Sequence, residues 1–261
     1  MPTYETITYE KRDRVVYITL NRPRILNAYN DAMAEELNDA YFELDADPDA
    51  YVAILSGAGR AFCSGADVRQ RQLRTREELV KLGGPAGRNA RGLGLTQTVN
   101  WKPVIAAIHG YAYGAGWGLA VAADIIVAAE GTRCQITETR RGLGSAQHFV
   151  NAWFHSATRF TSEIAITGRE FTAEEAAHHG LINKVVPQDQ LMPAAEATAA
   201  EILKNPPLAV RATVQAVRFM RSDLGRGATQ FQLGQRLYLS EDFQEGARAF
   251  MEKRAPEFKG R

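Results

Sequence analysis

The chain reads as an α/β protein, a sheet covered by helices and followed by a helical C-terminal region. Three observations predict this. Short β-branched or apolar runs, at Val15 to Leu20, Tyr51 to Leu55 and Val104 to Ile108, end in polar or small-residue turns. Helical patterns alternate with them, which is the rhythm of helices packed on a sheet. Past about residue 158 the signals turn helical. The 261 residues suffice for one large domain or two small ones. No repeat, low-complexity tract or long linker divides them. The reading is therefore a core over residues 1–200 and a helical region over 201–261.

The elements follow in order. After the first strand, Asn30-Asp31 offers an N-cap to a helix carrying Met33, Leu37, Tyr41 and Leu44 near helical spacing. The second strand stops at Ser56-Gly57-Ala58-Gly59. Residues Arg69 to Lys102 mix Arg71, Arg74, Arg76, Lys81, Arg88 and Arg91 with Gly83, Gly84, Gly87, Gly92 and Gly94, and read as a mobile, broken helical stretch. After the third strand, Leu119 to Val127 is apolar with the single charge Asp124, the end of a buried helix running into a strand. Helices are predicted at Thr161 to Ile166, Ala173 to His178, Gln190 to Leu203 and Leu208 to Met220. Pro206-Pro207 separates the last two, because a residue before proline disfavours helix.

Composition narrows the function. Net charge is +1, which gives no argument for nucleic acid or an acidic membrane surface. Two cysteines, Cys63 and Cys134, make neither a disulfide framework nor a metal-ligand set, and both read as core thiols. No apolar run resembles a signal peptide or a bilayer span, so a cytoplasmic enzyme fits. No Cys/His/Asp/Glu spacing suggests a metal. Gly92-Leu93-Gly94 lacks the frame of a dinucleotide loop, and Gly144-Ser145-Ala146 is not a nucleophile elbow.

Two stretches carry chemistry: Ala61-Phe62-Cys63-Ser64-Gly65-Ala66-Asp67-Val68 and Ile105-Ala106-Ala107-Ile108-His109-Gly110-Tyr111-Ala112-Tyr113-Gly114-Ala115-Gly116. Each follows a strand-like run and is built largely of small residues, which leave main-chain N–H groups open to a ligand. Facing each other, two such loops offer two N–H donors to one oxygen, an oxyanion hole.

With these loops, Ile18-Thr19-Leu20-Asn21-Arg22-Pro23, Leu26-Asn27-Ala28, Ala122-Ala123-Asp124-Ile125-Ile126, Thr167-Gly168-Arg169, Ala176-Ala177-His178-His179-Gly180-Leu181-Ile182-Asn183 and Glu252-Lys253-Arg254 occur in an order that resembles the enoyl-CoA hydratase/isomerase (crotonase) family over nearly the whole chain. The resemblance implies a spiral of ββα units and a C-terminal region that assembles a homotrimer or homohexamer. It implies an acyl-CoA thioester as substrate and no separate cofactor, CoA being part of that substrate. Residues 69–102 would line the acyl pocket. The hole's donors would be the N–H groups of Ala66 and Ala115, the latter in Gly114-Ala115-Gly116 where the family usually has three glycines. Asn27, Ala28, Ser64, Gly65, Asp67, Val68, Tyr113, Gly114 and Gly118 would line the substrate site. Asp67 would orient its loop or cap the next helix rather than react.

Family hydratases usually employ two glutamates. At the first position this chain has Gly118, so that carboxylate is absent. The second position, four residues before Gly142, is Glu138, either the acid/base or a surface residue paired with Arg140 or Arg141. Downstream, Leu143-Gly144-Ser145-Ala146-Gln147-His148-Phe149 replaces the usual proline- and glycine-rich turn. His148 there is a second acid/base candidate or a packed or helix-surface residue. His109, before the Gly110 turn, reads as packing, and His155, His178 and His179 show no partner pattern. The basic tail would hold the CoA adenosine and phosphates through Phe250 and Lys253, with Lys253 and Arg254 otherwise an exposed helix end. Four activities remain open: single-glutamate isomerase, hydratase or hydratase-lyase, carbon–carbon hydrolase using His148, and a non-catalytic acyl-CoA-binding or scaffold protein. RNA binding is disfavoured by the near-zero net charge.

Overall fold

The computed structural model describes residues 3–85 and 100–261. The chain enters through an antiparallel pair, β1 (Ile7–Arg12) and β2 (Val15–Leu20), then α1 (Asp31–Ala46), β3 (Val52–Gly57) and two short helices, α2 (Val68–Arg71) and α3 (Arg76–Leu82). There follow β4 (Val104–Ile108), β5 (Tyr111–Tyr113), α4 (Ala115–Ala122), β6 (Ile125–Ala129), β7 (Arg133–Gln135), α5 (Ala146–His155), α6 (Arg159–Thr167), β8 (Glu170–Thr172), α7 (Ala173–His178) and β9 (Lys184–Val186). Three helices close the chain, α8 (Leu191–Leu203), α9 (Pro207–Leu233) and α10 (Glu241–Glu252).

Among the described residues, one sheet runs β1-β2-β3-β4-β6-β9 and a smaller one β5-β7-β8. All neighbours of the large sheet after the first pair are parallel. Each ββα unit sends its first strand to the large sheet and its second to the small one: β4 and β5 before α4, β6 and β7 before α5. In the preceding unit the second strand shrinks to one bridge, Cys63 to Ala112. This is the spiral that the family resemblance implies.

Period-two alternation divides the core between the sheet's faces. Ala53, Leu55, Ala106, Ile108, Ile126 and Ala128 face α1 and α4. Val52, Ile54, Ile105, Ala107, Val127 and Ala129 face α8, which buries Leu191, Ala195 and Ala199 against them. α4 is buried on all sides, as its uninterrupted small and apolar sequence requires. Asn30 caps α1, its side chain accepting from the Met33 N–H at 2.9 Å.

Several elements differ from expectation: β8 and β9 are short strands past residue 158, where the signals read as helical. β1 is absent from the sequence reading because it is a charged edge strand with only Ile7 buried. α9 continues beyond Met220 to Leu233, and buried arginines anchor its middle: Arg218 Nε donates to Asp124 Oδ1 at 3.0 Å, and Arg221 Nη2 to the Ala122 carbonyl at 2.8 Å. The broken stretch after Arg69 begins as α2 and α3; Arg88, Arg91, Gly87, Gly92 and Gly94 lie outside the described residues. No helix among the described residues is long and apolar enough to cross a membrane.

Candidate active site

The two small-residue loops meet. Tyr113 N–H donates to the Cys63 carbonyl at 3.0 Å and Cys63 N–H to the Tyr111 carbonyl at 2.9 Å. Gly65 has φ +106°, and a Cβ there would lie 3.0 Å from the Tyr113 carbonyl oxygen. Gly114 has φ +46°, and a Cβ there would collide with Thr137 Oγ1 and sit 3.3 Å from Glu138 Oε1. Both positions require the conformational freedom of glycine. They bring Ala66, the start of α4 and the Glu138 carboxylate into one neighbourhood.

Neither the Ala66 nor the Ala115 N–H has a main-chain acceptor among the described residues. Ala115 is the first residue of α4, where an N–H has no partner within its own helix. Ala66 is held in place by its neighbours: Tyr29 N–H donates to the Gly65 carbonyl at 2.8 Å and Asp67 N–H to the Tyr29 carbonyl at 2.9 Å.

The other predicted residues divide into scaffold and opening. Asn27 is fully buried; its Nδ2 donates to the Ala58 and Ala61 carbonyls at 2.9 and 2.8 Å, and its Oδ1 accepts the Arg22 N–H at 2.8 Å. That side chain is wholly engaged with backbone. Arg22, which sequence reasoning left inside a motif, donates to the Ala28 carbonyl and pairs with Asp67 at 3.3 Å. Asp67 caps α2, accepting from the Gln70 N–H at 3.4 Å, ahead of half-buried Val68. Ser64 N–H donates to the Leu26 carbonyl at 2.9 Å. Tyr113 turns its hydroxyl onto Glu170, leaving its main chain beside Gly65. Gly118 is buried inside α4, where the missing carboxylate would stand.

Glu138 heads the 3-10 turn Thr139–Arg141 and is bonded to neither Arg140 nor Arg141 through its side chain. Its Oε1 instead accepts from His148 Nε2 at 3.1 Å, with 17% and 11% of the two side chains exposed. His148 is therefore a buried residue of α5, not a helix-surface one. Burial raises the Glu138 carboxyl, but the His148 charge and hydrogen bond, with main-chain N–H donors, outweigh it and hold the acid below its ordinary value. Burial likewise lowers His148, yet Glu138 raises it further, above the usual imidazole value. Each partner therefore favours the charged form of the other. Glu138 Oε2 and His148 Nδ1 are buried without a hydrogen-bond partner among the described residues.

Close by, a cavity of about 340 Å³ is lined by Thr137, Arg140, Arg141, Phe250, Lys253 and others. Phe250 is half-exposed, and Lys253 ends α10 in the left-handed conformation at φ +54°. His109 is packed, bonded through Nε2 to the Gly59 carbonyl at 2.9 Å, and both cysteines are buried thiols. Burial and the Arg221 charge push His155 down to about 4. No group of three or more His, Cys, Asp or Glu among the described residues is placed to hold a metal ion.

Two sheets wound in ββα units, with glycine-hinged loops meeting above a buried carboxylate, make this a crotonase-fold protein. The chain belongs to the enoyl-CoA hydratase/isomerase family, whose profile matches residues 10–261. A probable enoyl-CoA hydratase of Mycobacterium bovis is 36% identical over 262 residues, 98% of each chain. A mevalonyl-coenzyme A hydratase of Aspergillus fumigatus is 34% identical over 254 residues, 94% of this chain and 91% of that one. The crystal structure of a carnitinyl-CoA hydratase from Mycobacterium avium aligns with a TM-score of 0.83 at 32% identity, covering 99% of this chain and 100% of that one.

Proposed function

We propose that this protein is an enoyl-CoA hydratase that uses Glu138 as its single acid/base. The observation that carries the reading is the Glu138–His148 pair at 3.1 Å, beside a glycine hinge and two N–H groups without main-chain acceptors. The thioester oxygen accepts from the Ala66 and Ala115 N–H groups, which stabilise enolate charge as it develops. Glu138, kept ionised by His148, takes a proton from water as the oxygen bonds to Cβ. The same proton then passes from Glu138 to Cα, and the enolate collapses to the 3-hydroxyacyl thioester. The names of the relatives favour hydration over isomerisation, and one carboxylate suffices because it acts first as base and then as acid. Phe250 and Lys253 meet the nucleotide end of CoA at the 340 Å³ cavity.

The buried His148, paired with Glu138 at 3.1 Å, supports a second reading, in which His148 itself protonates the substrate in a carbon–carbon hydrolase or hydratase-lyase. A panel of acyl-CoA thioesters, followed by loss of enone absorbance and by solvent deuterium uptake at Cα, separates the readings. Hydration of 2-enoyl-CoA with deuterium at Cα supports the first. Cleavage of a 3-oxo or 3-hydroxyacyl-CoA without enoyl hydration favours the second. Binding without turnover across the panel leaves a non-catalytic acyl-CoA-binding protein.

Assembly into a homotrimer or a dimer of trimers is part of the same reading. On α9, Phe219, Met220 and Leu224 are exposed in the single chain, at 67%, 61% and 46%. An apolar face of this kind fits burial against another copy. Light scattering at micromolar concentration is expected to report three or six subunits, and a monomer would contradict it.

A further inference from the structure

Arg141 links the 340 Å³ cavity to the turn that carries Glu138. Its main-chain N–H donates to the Glu138 carbonyl at 2.9 Å, closing that turn. Its guanidinium lies 3.8 Å from the centre of the Phe250 ring on α10. Nη1 of the same group donates to the Gly246 carbonyl, one turn earlier on α10, at 3.2 Å. The helix also presses on the arginine's backbone, since a Cβ on Gly246 would lie 3.1 Å from the Arg141 carbonyl carbon. At the next residue, a Cβ on Gly142 would lie 2.7 Å from the Phe243 nitrogen. Four contacts thus tie α10 to Arg141 and Gly142, a few residues from the acid/base.

We propose that Arg141 is a positioning residue that couples the CoA-contacting helix α10 to Glu138. It rests on the reading that the CoA nucleotide meets Phe250 and Lys253. A ligand seated against the Phe250 ring opposes movement of the ring and of the guanidinium stacked on it. Holding Arg141 holds the turn, and the turn sets where the Glu138 carboxylate stands. Binding energy from a part of the substrate that does not react is thereby used at the reacting carbon, so it raises kcat rather than only lowering KM.

The test compares the fastest enoyl-CoA of the panel with its pantetheine counterpart, on wild type and Arg141→Gln. In the wild type, removing the nucleotide should raise KM and also lower kcat about tenfold, the signature of binding energy used for positioning. Arg141→Gln should lower kcat on the CoA thioester by a similar factor, with KM little changed. On the pantetheine thioester it should change kcat by less than about twofold, since coupled losses do not multiply. Arg141→Lys, which keeps the cation over Phe250, should recover part of the loss. Should Arg141→Gln fold poorly, Gly246→Ala separates α10 from Arg141 and should show the same non-multiplying pattern. Losses that multiply, or truncation that moves KM alone, would overturn the coupling and leave the nucleotide contact standing. Equal KM for the two thioesters would overturn the nucleotide contact itself, and the coupling with it.

Discussion

His148→Gln isolates what the imidazolium does for Glu138. Glutamine retains a side-chain N–H to offer the carboxylate but carries no charge. In the native site, burial pushes the Glu138 carboxyl up and the His148 charge brings it below its ordinary value. Without that charge, burial is opposed only by the remaining hydrogen bonds. An opposite charge at 3.1 Å favours the ionised carboxylate. The acid limb of kcat/KM, which the native pair holds below the ordinary glutamate range, should move to higher pH in the variant. Below its new limb, kcat/KM should fall about tenfold per pH unit, while the plateau above it changes far less. The assay is initial-rate enone loss across pH on the best enoyl-CoA. A native-like acid limb in a folded His148→Gln protein would refute the claim that His148 sets the ionisation of Glu138.

The same pair gives a stability prediction with a definite sign. Glu138 is lowered by folding, so its contribution is present above the ordinary carboxylate value and lost as pH falls through the folded one. His148 is raised, so its contribution is present below the ordinary imidazole value and lost as pH rises through the folded one. Urea midpoints should show a plateau between those limits that His148→Gln lowers. Ala66→Pro removes an N–H that bonds no main-chain acceptor among the described residues; with folding checked by circular dichroism, turnover should fall by about two to three orders of magnitude, and unchanged turnover would remove Ala66 from the hole. Arg218→Met should cost about 3 to 5 kcal/mol in urea unfolding, because Asp124, at 14% side-chain exposure, would lose its guanidinium partner; a loss below about 1 kcal/mol would contradict the anchoring of α9. Cys63, whose thiol burial pushes up to about 12, should resist thiol reagents at pH 8 until the protein is unfolded.

The parts of this molecule that were legible in the sequence are those whose signals are local. Val15–Leu20 and Val104–Ile108 have the predicted limits because each run ends abruptly, in Asn21-Arg22-Pro23 and in His109-Gly110. Asn30 and Asp67 cap helices as their residue types suggest. The pairing of Glu138 was not legible. Arg140 and Arg141 are its neighbours in sequence, but the 3-10 turn carries the Arg141 guanidinium onto Phe250 and leaves the carboxylate to His148. That choice depends on where α5 and α10 stand, which no local pattern encodes. Asn27 and Tyr113 show a similar limit: their positions near the loops are readable, but the backbone carbonyls and Glu170 that engage their side chains belong to distant segments. The hold of α9 on the core was hidden because it comes from Arg218 and Arg221, which break an apolar pattern while being almost fully buried.

Glu138→Gln tests the central claim most directly. The substitution keeps size and a hydrogen-bonding oxygen but removes the base, and leaves the two N–H donors and the α10 contacts in place. Turnover of the best enoyl-CoA, with deuterium incorporation at Cα measured in the same reaction, should fall by about two to four orders of magnitude. Calorimetric affinity for a saturated acyl-CoA should stay within a few-fold of wild type. Near-native turnover and exchange in a folded Glu138→Gln protein would contradict the account.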